Sequence, residues 1–125
     1  MKYLTNFYKF INESASIIHL KDMIDLVLKA EKDLMMIDDK HAREIKSVLN
    51  RISQDLYSIE VSGEAPDKEF MKNLVSSLLR LKEQGKAIPF SKYPDFSQMD
   101  GKFSAPLGSL QKAIEKGKQI LDFTV

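Results

Sequence analysis

The sequence predicts an all-α protein, a helical bundle of four principal helices plus a short N-terminal helix, with one long irregular segment at about residues 86–105. Three observations carry that prediction. Apolar residues recur at spacings of three, four and seven along most of the chain, the repeat that lays one buried stripe along a helix. Gly, Pro and Asp fall between the periodic stretches, where turns and caps need them. No stretch of useful length alternates apolar with polar residues as a half-buried strand does.

The opening, KYLTNFYKFINES, places Leu4, Phe7, Tyr8 and Ile11 on one side of a short helix. The first principal helix is expected from about Ser16 to Leu34, with Ser16 as its N-cap. Ile17, Leu20, Ile24, Val27 and Leu34 form its stripe, and Met23, Leu28 and Met35 widen it. Asp22, Asp25, Lys29, Lys32 and Asp33 take the other side.

The second principal helix is expected from about Asp39 to Glu60, capped by Asp38 or Asp39 and ended by Gly63. Ile45, Val48, Leu49, Ile52, Leu56 and Ile59 form its stripe, and the short connection before it predicts an antiparallel hairpin. The third opens at APDKEF, with Pro66 suited to a first turn and Asp67 and Glu69 near the positive end of the helix dipole. It buries Phe70, Met71, Leu74, Val75, Leu78 and Leu81, and Gly85 is its expected stop.

The last helix is expected to start at Ser104, with Pro106 in its first turn and Leu107, Leu110, Ile114 and Leu121 on one face. Gly108 and Gly117 each weaken it by about 1 kcal/mol relative to alanine, so it leans on tertiary contacts. Leu26 and Leu79 sit at the edges of their stripes. Such width suits helices covered on more than one side, by a central position or by another subunit.

At 125 residues, 43% hydrophobic and 30% charged, the chain suits one folded domain. Nineteen basic against eighteen acidic residues leave a formal charge of +1, with no charged block in either half. That balance weighs against a partner held mainly through phosphates and against an anionic membrane surface. The absence of cysteine removes disulfide frameworks and thiol chemistry and fits a reducing compartment. Leu34 to Ile37, the longest nearly apolar run, is too short for a bilayer, and Lys2 is not followed by the apolar region of a signal peptide. A cytoplasmic protein is expected.

The segment at about 86–105 breaks the helical rhythm with Pro89, Pro94 and Gly101 while carrying Phe90, Tyr93, Phe96 and Phe103. It is expected either to strap the bundle, dropping its aromatics between helices, or to dock on another protein or a second copy of the chain. These four aromatics are the candidate protein-binding residues, because a long irregular segment held on a rigid scaffold is where binding concentrates.

Other chemistry has thinner support. Asp38, His41 and Glu44 cluster at a helix start, but His-x-x-Glu occurs there once and acidic residues at a helix N-terminus follow from capping alone. No phosphate-binding loop, nucleophile elbow or zinc-protease motif is present, so neither a cofactor nor a metal is expected and a non-enzymatic protein is favoured. The alternative is a small nucleic-acid-binding accessory protein, using Lys40, Arg43 and Lys46 at three-residue spacing together with Lys112, Lys116 and Lys118. Interleaved Glu44 and Glu115 fit ordinary solvated faces instead.

In MKYLTNFYKFINES, the residues Leu4, Phe7, Phe10, Ile11, Asn12 and Glu13 form a pattern that resembles the opening of many small proteins encoded by large-genome tailed bacteriophages. The resemblance implies a phage origin, a place in the host cytoplasm or the virion, and a structural role in virion assembly or in binding a host protein. It transfers no functional residue.

Overall fold

Where a helix starts and stops in this chain is set by a handful of capping groups. The computed structural model describes residues 2–63, 66–94 and 96–123, and the side chains of residues 18–63, 66–94 and 98–122. Among the described residues there are four α-helices, α1 (Lys2–Met35), α2 (Lys40–Ser62), α3 (Lys68–Lys86) and α4 (Phe96–Phe123), one 3-10 turn at Phe90–Lys92, and no strand.

The expected boundary at Ser16 is absent, and α1 runs through it without a break. Asn12 to Ser16 contains neither Gly nor Pro, so nothing interrupts the backbone hydrogen-bond ladder, and a serine inside a helix costs only a fraction of a kcal/mol. The face expected from Leu4, Phe7, Tyr8 and Ile11 lies outside the described side chains.

Asp39 caps α2. Its extended backbone turns the carboxylate onto the first exposed amides, and Oδ2 accepts from His41 N at 2.8 Å and Ala42 N at 3.4 Å. Gly63 ends α2 at φ +73°, donating its N–H to Glu60 O, a left-handed cap that costs glycine nothing. Pro66 stands before the cap of α3 rather than in its first turn, and Asp67 holds the cap position without a side-chain bond.

α1 lies between α2 and α4, and α3 packs on α4, whereas α2 and α3 touch little. Side-chain pairs mark where the helices meet. Ser53 Oγ donates to Glu31 at 2.7 Å across the α1–α2 hairpin, and Lys116 reaches Asp22 at 3.5 Å across α1 and α4. Val75 meets Gly117 while Leu107 meets Gly85, so α3 and α4 are antiparallel too.

Two glycines mark close approach rather than flexibility. A Cβ on Gly117 would stand 2.6 Å from a Val75 methyl and 3.2 Å from Met23 Cε, so this backbone is where α1, α3 and α4 converge. Gly85 is not a stop, because α3 continues to Lys86. Its buried backbone leaves room for a Leu107 methyl. The core runs through this junction from Leu20, Met23 and Val27 to Met71, Leu78, Leu110 and Ile114, all fully buried.

The irregular segment is shorter than expected. Only about residues 87–94 leave the helical path, and α4 begins at Phe96, ten residues before Pro106. Met99, Phe103, Pro106, Leu110 and Ile114 continue one buried stripe at spacings of three and four. Pro106 removes one backbone hydrogen bond and opposes helix by about 3 kcal/mol. Burying the Phe103 ring and Met99 returns a comparable amount, at about 1.5–3 kcal/mol per large side chain. Gly101 and Gly108 sit on the open side of α4, with nothing near their missing Cβ.

Candidate functional site

The candidate aromatics separate once their burial is known. Phe103 is fully buried, with a relative exposure of 0%, and cannot be part of an exposed binding surface in this conformation. The physical reason is its place on the buried stripe of α4. Phe90 and Tyr93, half-buried, pack against the core. Phe90 lies 5.3 Å from Phe103 at a 59° tilt and 6.1 Å from Tyr93 at 53°, tilted pairs within the distance at which aromatic rings attract. Phe96 starts α4, and its side chain lies outside the described residues.

One side-chain bond fastens this segment to the far end of the α1–α2 hairpin. Tyr93 OH donates to Asp39 Oδ1 at 2.8 Å, so the carboxylate that caps α2 also latches the 3-10 turn. Burial alone would raise the Asp39 pKa, but the Tyr93 hydroxyl and the His41 and Ala42 amides together hold it below its usual 3.8. For Tyr93, partial desolvation and the adjacent carboxylate push the phenol above its usual 10.0.

The candidate cations also separate. Lys112 and Lys116 line a groove between α1 and α4 with Asp22, Asp25 and Glu115, so their charge is offset locally. Lys118 is exposed further along α4. Lys40, Arg43 and Lys46 lie at the start of α2, beyond Met35. That is about 20 Å along α1 from Asp22 at 1.5 Å per residue, and on the opposite side of α1 from α4. The fold therefore does not gather the two basic groups into one face. Arg43 is tied to Asp38 at 3.1 Å, an exposed pair. Asp38, His41 and Glu44 do not converge: Asp38 is paired with Arg43, and among the described residues no three acidic or histidine side chains gather where one ion could be held.

A different surface was missed by sequence reasoning. Of the seven exposed large apolar side chains among the described residues, Leu28 (47% exposed), Met35, Met36 (80%), Tyr57 (61%) and Val61 (67%) belong to the facing parts of α1 and α2 or the turn between them, while Ile18 lies further back on α1 and Leu79 on α3. Three shallow depressions lie along this pair of helices, the second of them polar and on α2 alone. The first, at the turn, is lined by Met35, Met36, Arg43 and Lys46, the second by Arg43, Lys46, Ser47 and Asn50, and the third by Ile24, Leu28, Ser53, Gln54 and Tyr57. On α2 the row Arg43, Lys46, Asn50, Gln54, Tyr57 and Val61 keeps three- and four-residue spacing, so these side chains share one stripe beside the buried one. The signal was present in the sequence: Tyr57 and Val61 are apolar positions off the main stripe of their helix, and Leu28 and Met35 widen the stripe of theirs.

Among the described residues no helix is long and apolar enough to cross a membrane. Comparison with known protein families, with curated proteins and with solved structures finds no match for this chain.

Proposed function

We propose that the chain is a non-enzymatic helical interaction protein whose protein-binding surface is the α1–α2 seam. The observation that carries this reading is the concentration of exposed apolar side chains there: Leu28, Met35, Met36, Tyr57 and Val61 along one pair of helices, over depressions that reach Ile24 in the core. Exposed apolar side chains gathered on one pair of helices mark an interaction site on a charged protein. The aromatic segment supports the same reading as scaffold, since Phe90 and Tyr93 brace the end of the hairpin that presents Met35 and Met36.

The resemblance of residues 1–14 to the openings of tailed-phage proteins adds a setting, in which the partner is another virion component or a host protein. The nucleic-acid alternative keeps Arg43 and Lys46 on the seam, but it leaves the aliphatic side chains beside them without a role, because bases stack on aromatic rings. The test is capture from a lysate of the source cell by the immobilised chain and by its Leu28→Asp/Tyr57→Asp variant, with the folded state checked by circular dichroism. A protein retained by the first and lost from the second is the expected result. Equal retention by both would move binding off the seam, and no retention by either would remove the reading.

A further inference from the structure

We infer that residues 4–18 of α1 pair with the same segment of a second copy of the chain, antiparallel and centred on Ile11. This site is separate from the α1–α2 seam, and it follows from a change of apolar face within one helix.

From Leu20 onward the buried row of α1 is Leu20, Met23, Ile24, Val27, Ala30 and Leu34. Continued backwards at three- and four-residue spacing, the same row meets Ser16, Glu13, Lys9, Asn6 and Lys2, every one of them polar. The reverse face makes the opposite change. Beyond residue 20 it carries Lys21, Asp25, Lys29 and Lys32, all exposed, and Ile18, 61% exposed, is its last apolar position. Leu4 and Ile11 stand fourteen and seven residues before Ile18, in register with it, and Phe7, Tyr8 and Ala15 fall on the same face. Because α1 is continuous from Lys2 to Met35, a bundle that buries Leu20 and Val27 leaves the row of Leu4, Ile11 and Ile18 on the far side.

The neighbouring helices stop short of this segment. Tyr93 bonds Asp39, so α4 starts beside the end of α1 and runs back along it, and Lys116 pairs with Asp22. Phe123 lies seven residues past Lys116, which brings the end of α4 level with about residue 15 of α1. Lys68 lies seven residues before Val75, which meets Gly117, so α3 begins level with the end of α4. Ser62 lies nine residues past Ser53, the partner of Glu31, which brings the end of α2 level with about residue 22. Residues 2–14 therefore run past all three for about 20 Å, at 1.5 Å per residue.

What fits the row is the row itself. A two-fold interface requires that where residue i meets residue j, j also meets i. Antiparallel pairing centred on Ile11 sets Ile11 level with Ile11 of the second copy and Leu4 level with Ile18, apolar against apolar. It also sets the bulky Phe7 and Tyr8 level with Ala15 and Ser14, the alternation of large and small that lets two helix surfaces interdigitate. Lys9 and Glu13, the charges of the segment, belong to the other face, so no like charges are brought together across the axis. At about 150 Å² for an aromatic side chain and about 100 Å² for an aliphatic one, Leu4, Phe7, Tyr8, Ile11 and Ile18 from two copies offer roughly 1,200 Å², the lower end for a specific interface.

The test uses the absence of cysteine from the chain. Ile11→Cys, Leu4→Cys and Ile18→Cys, each made singly in the full chain, are treated with a copper–phenanthroline oxidant and run on non-reducing gels. Sedimentation over a concentration series is measured for the native chain, for Ile11→Asp and for Leu28→Asp/Tyr57→Asp.

Ile11→Cys is expected to link to itself, and a mixture of Leu4→Cys with Ile18→Cys to link about tenfold faster than either alone, because only facing positions bring two sulfurs within bonding reach. The native chain is expected to sediment as a dimer in the micromolar range and Ile11→Asp as a folded monomer. The cross-links read the register even where Ile11→Asp does not fold. Leu4→Cys linking to itself as readily as to Ile18→Cys would mean a parallel pair and would overturn the inference. A native chain that stays monomeric at every concentration would overturn it too. So would a dimer that Leu28→Asp/Tyr57→Asp disperses and Ile11→Asp does not, since the second copy would then sit on the α1–α2 seam.

Discussion

The aromatic segment and the α1–α2 seam make an instructive pair. The first is irregular and carries Phe90 and Tyr93, and the first turns of α4 add Phe103, yet these side chains are half-buried or fully buried. The second is regular helix and lysine-bearing, yet it leaves Leu28, Tyr57 and Val61 in solvent. Local irregularity did not make a surface, and local regularity did not make a core. What decided both was the number of neighbours within reach. Phe103 meets Phe90 from the 3-10 turn, whereas among the described residues the depression beside Leu28 and Tyr57 is lined by α1 and α2 alone.

The strongest way to break this contrast is Phe103→Ala. Truncating a fully buried phenylalanine removes about 3–5 kcal/mol, and a large fall in melting temperature with urea unfolding shifted to match is expected. A loss below about 0.5 kcal/mol would mean that the ring is not a core element and that the segment is free to serve as an arm.

Gly117→Val tests the junction that lets α4 approach α1 and α3. The added methyls collide with Val75 and Met23, and a destabilisation of about 1–3 kcal/mol is expected in spite of valine being the better helix former. Stability equal to the native chain would show that the three helices do not converge as closely as described.

Tyr93→Phe removes the latch and keeps the ring. A loss of about 1 kcal/mol is expected, with faster amide exchange confined to residues near 87–94 and no change at the centre of α2.

The same bond has a pH signature. The Asp39 pKa is lowered in the fold, so its stabilisation is complete above the ordinary value near 3.8 and is lost as the pH falls through the lower folded value. The Tyr93 pKa is raised, so its contribution is complete below 10.0 and is lost as the pH rises through the higher folded value. Protection of the 3-10 turn amides, relative to their intrinsic exchange rate at each pH, should therefore fall at both ends of the pH range, and Tyr93→Phe should abolish the alkaline fall.

Smallest of all should be the effect of Leu28→Gln/Tyr57→Gln on folding, within about 0.5 kcal/mol per site, since Leu28 is about half exposed and Tyr57 mostly so. A stability loss of core size from these two substitutions would erase the distinction between seam and core and, with it, the argument that the seam awaits a partner.

Much of this was legible in the chain. Asp39 as a cap, Gly63 as a stop, the antiparallel hairpin and the apolar stripes all follow from residues within one or two turns of each other, and local stereochemistry is written locally. The stripe through Met99, Phe103 and Pro106 was equally local, but its proline and glycine residues hid it, because their cost is intrinsic and their compensation is not. The same applies to Ser16, a good cap residue that α1 passes through because nothing near it breaks the ladder.

The sequence by itself determined that the chain is helical, where most of its helices turn, and which face of each is apolar, since these depend on spacing and on the conformational preferences of single residues. Only the tertiary structure decided that Phe103 is core, that Gly85 and Gly117 are points of contact, and that the cations at 40–46 and at 112–118 stand apart. It also decided that Leu28, Tyr57 and Val61 stay uncovered. A stripe records that a side chain is apolar, whereas burial requires a second element to arrive, and α2 and α4 between them reach only part of the circumference of α1.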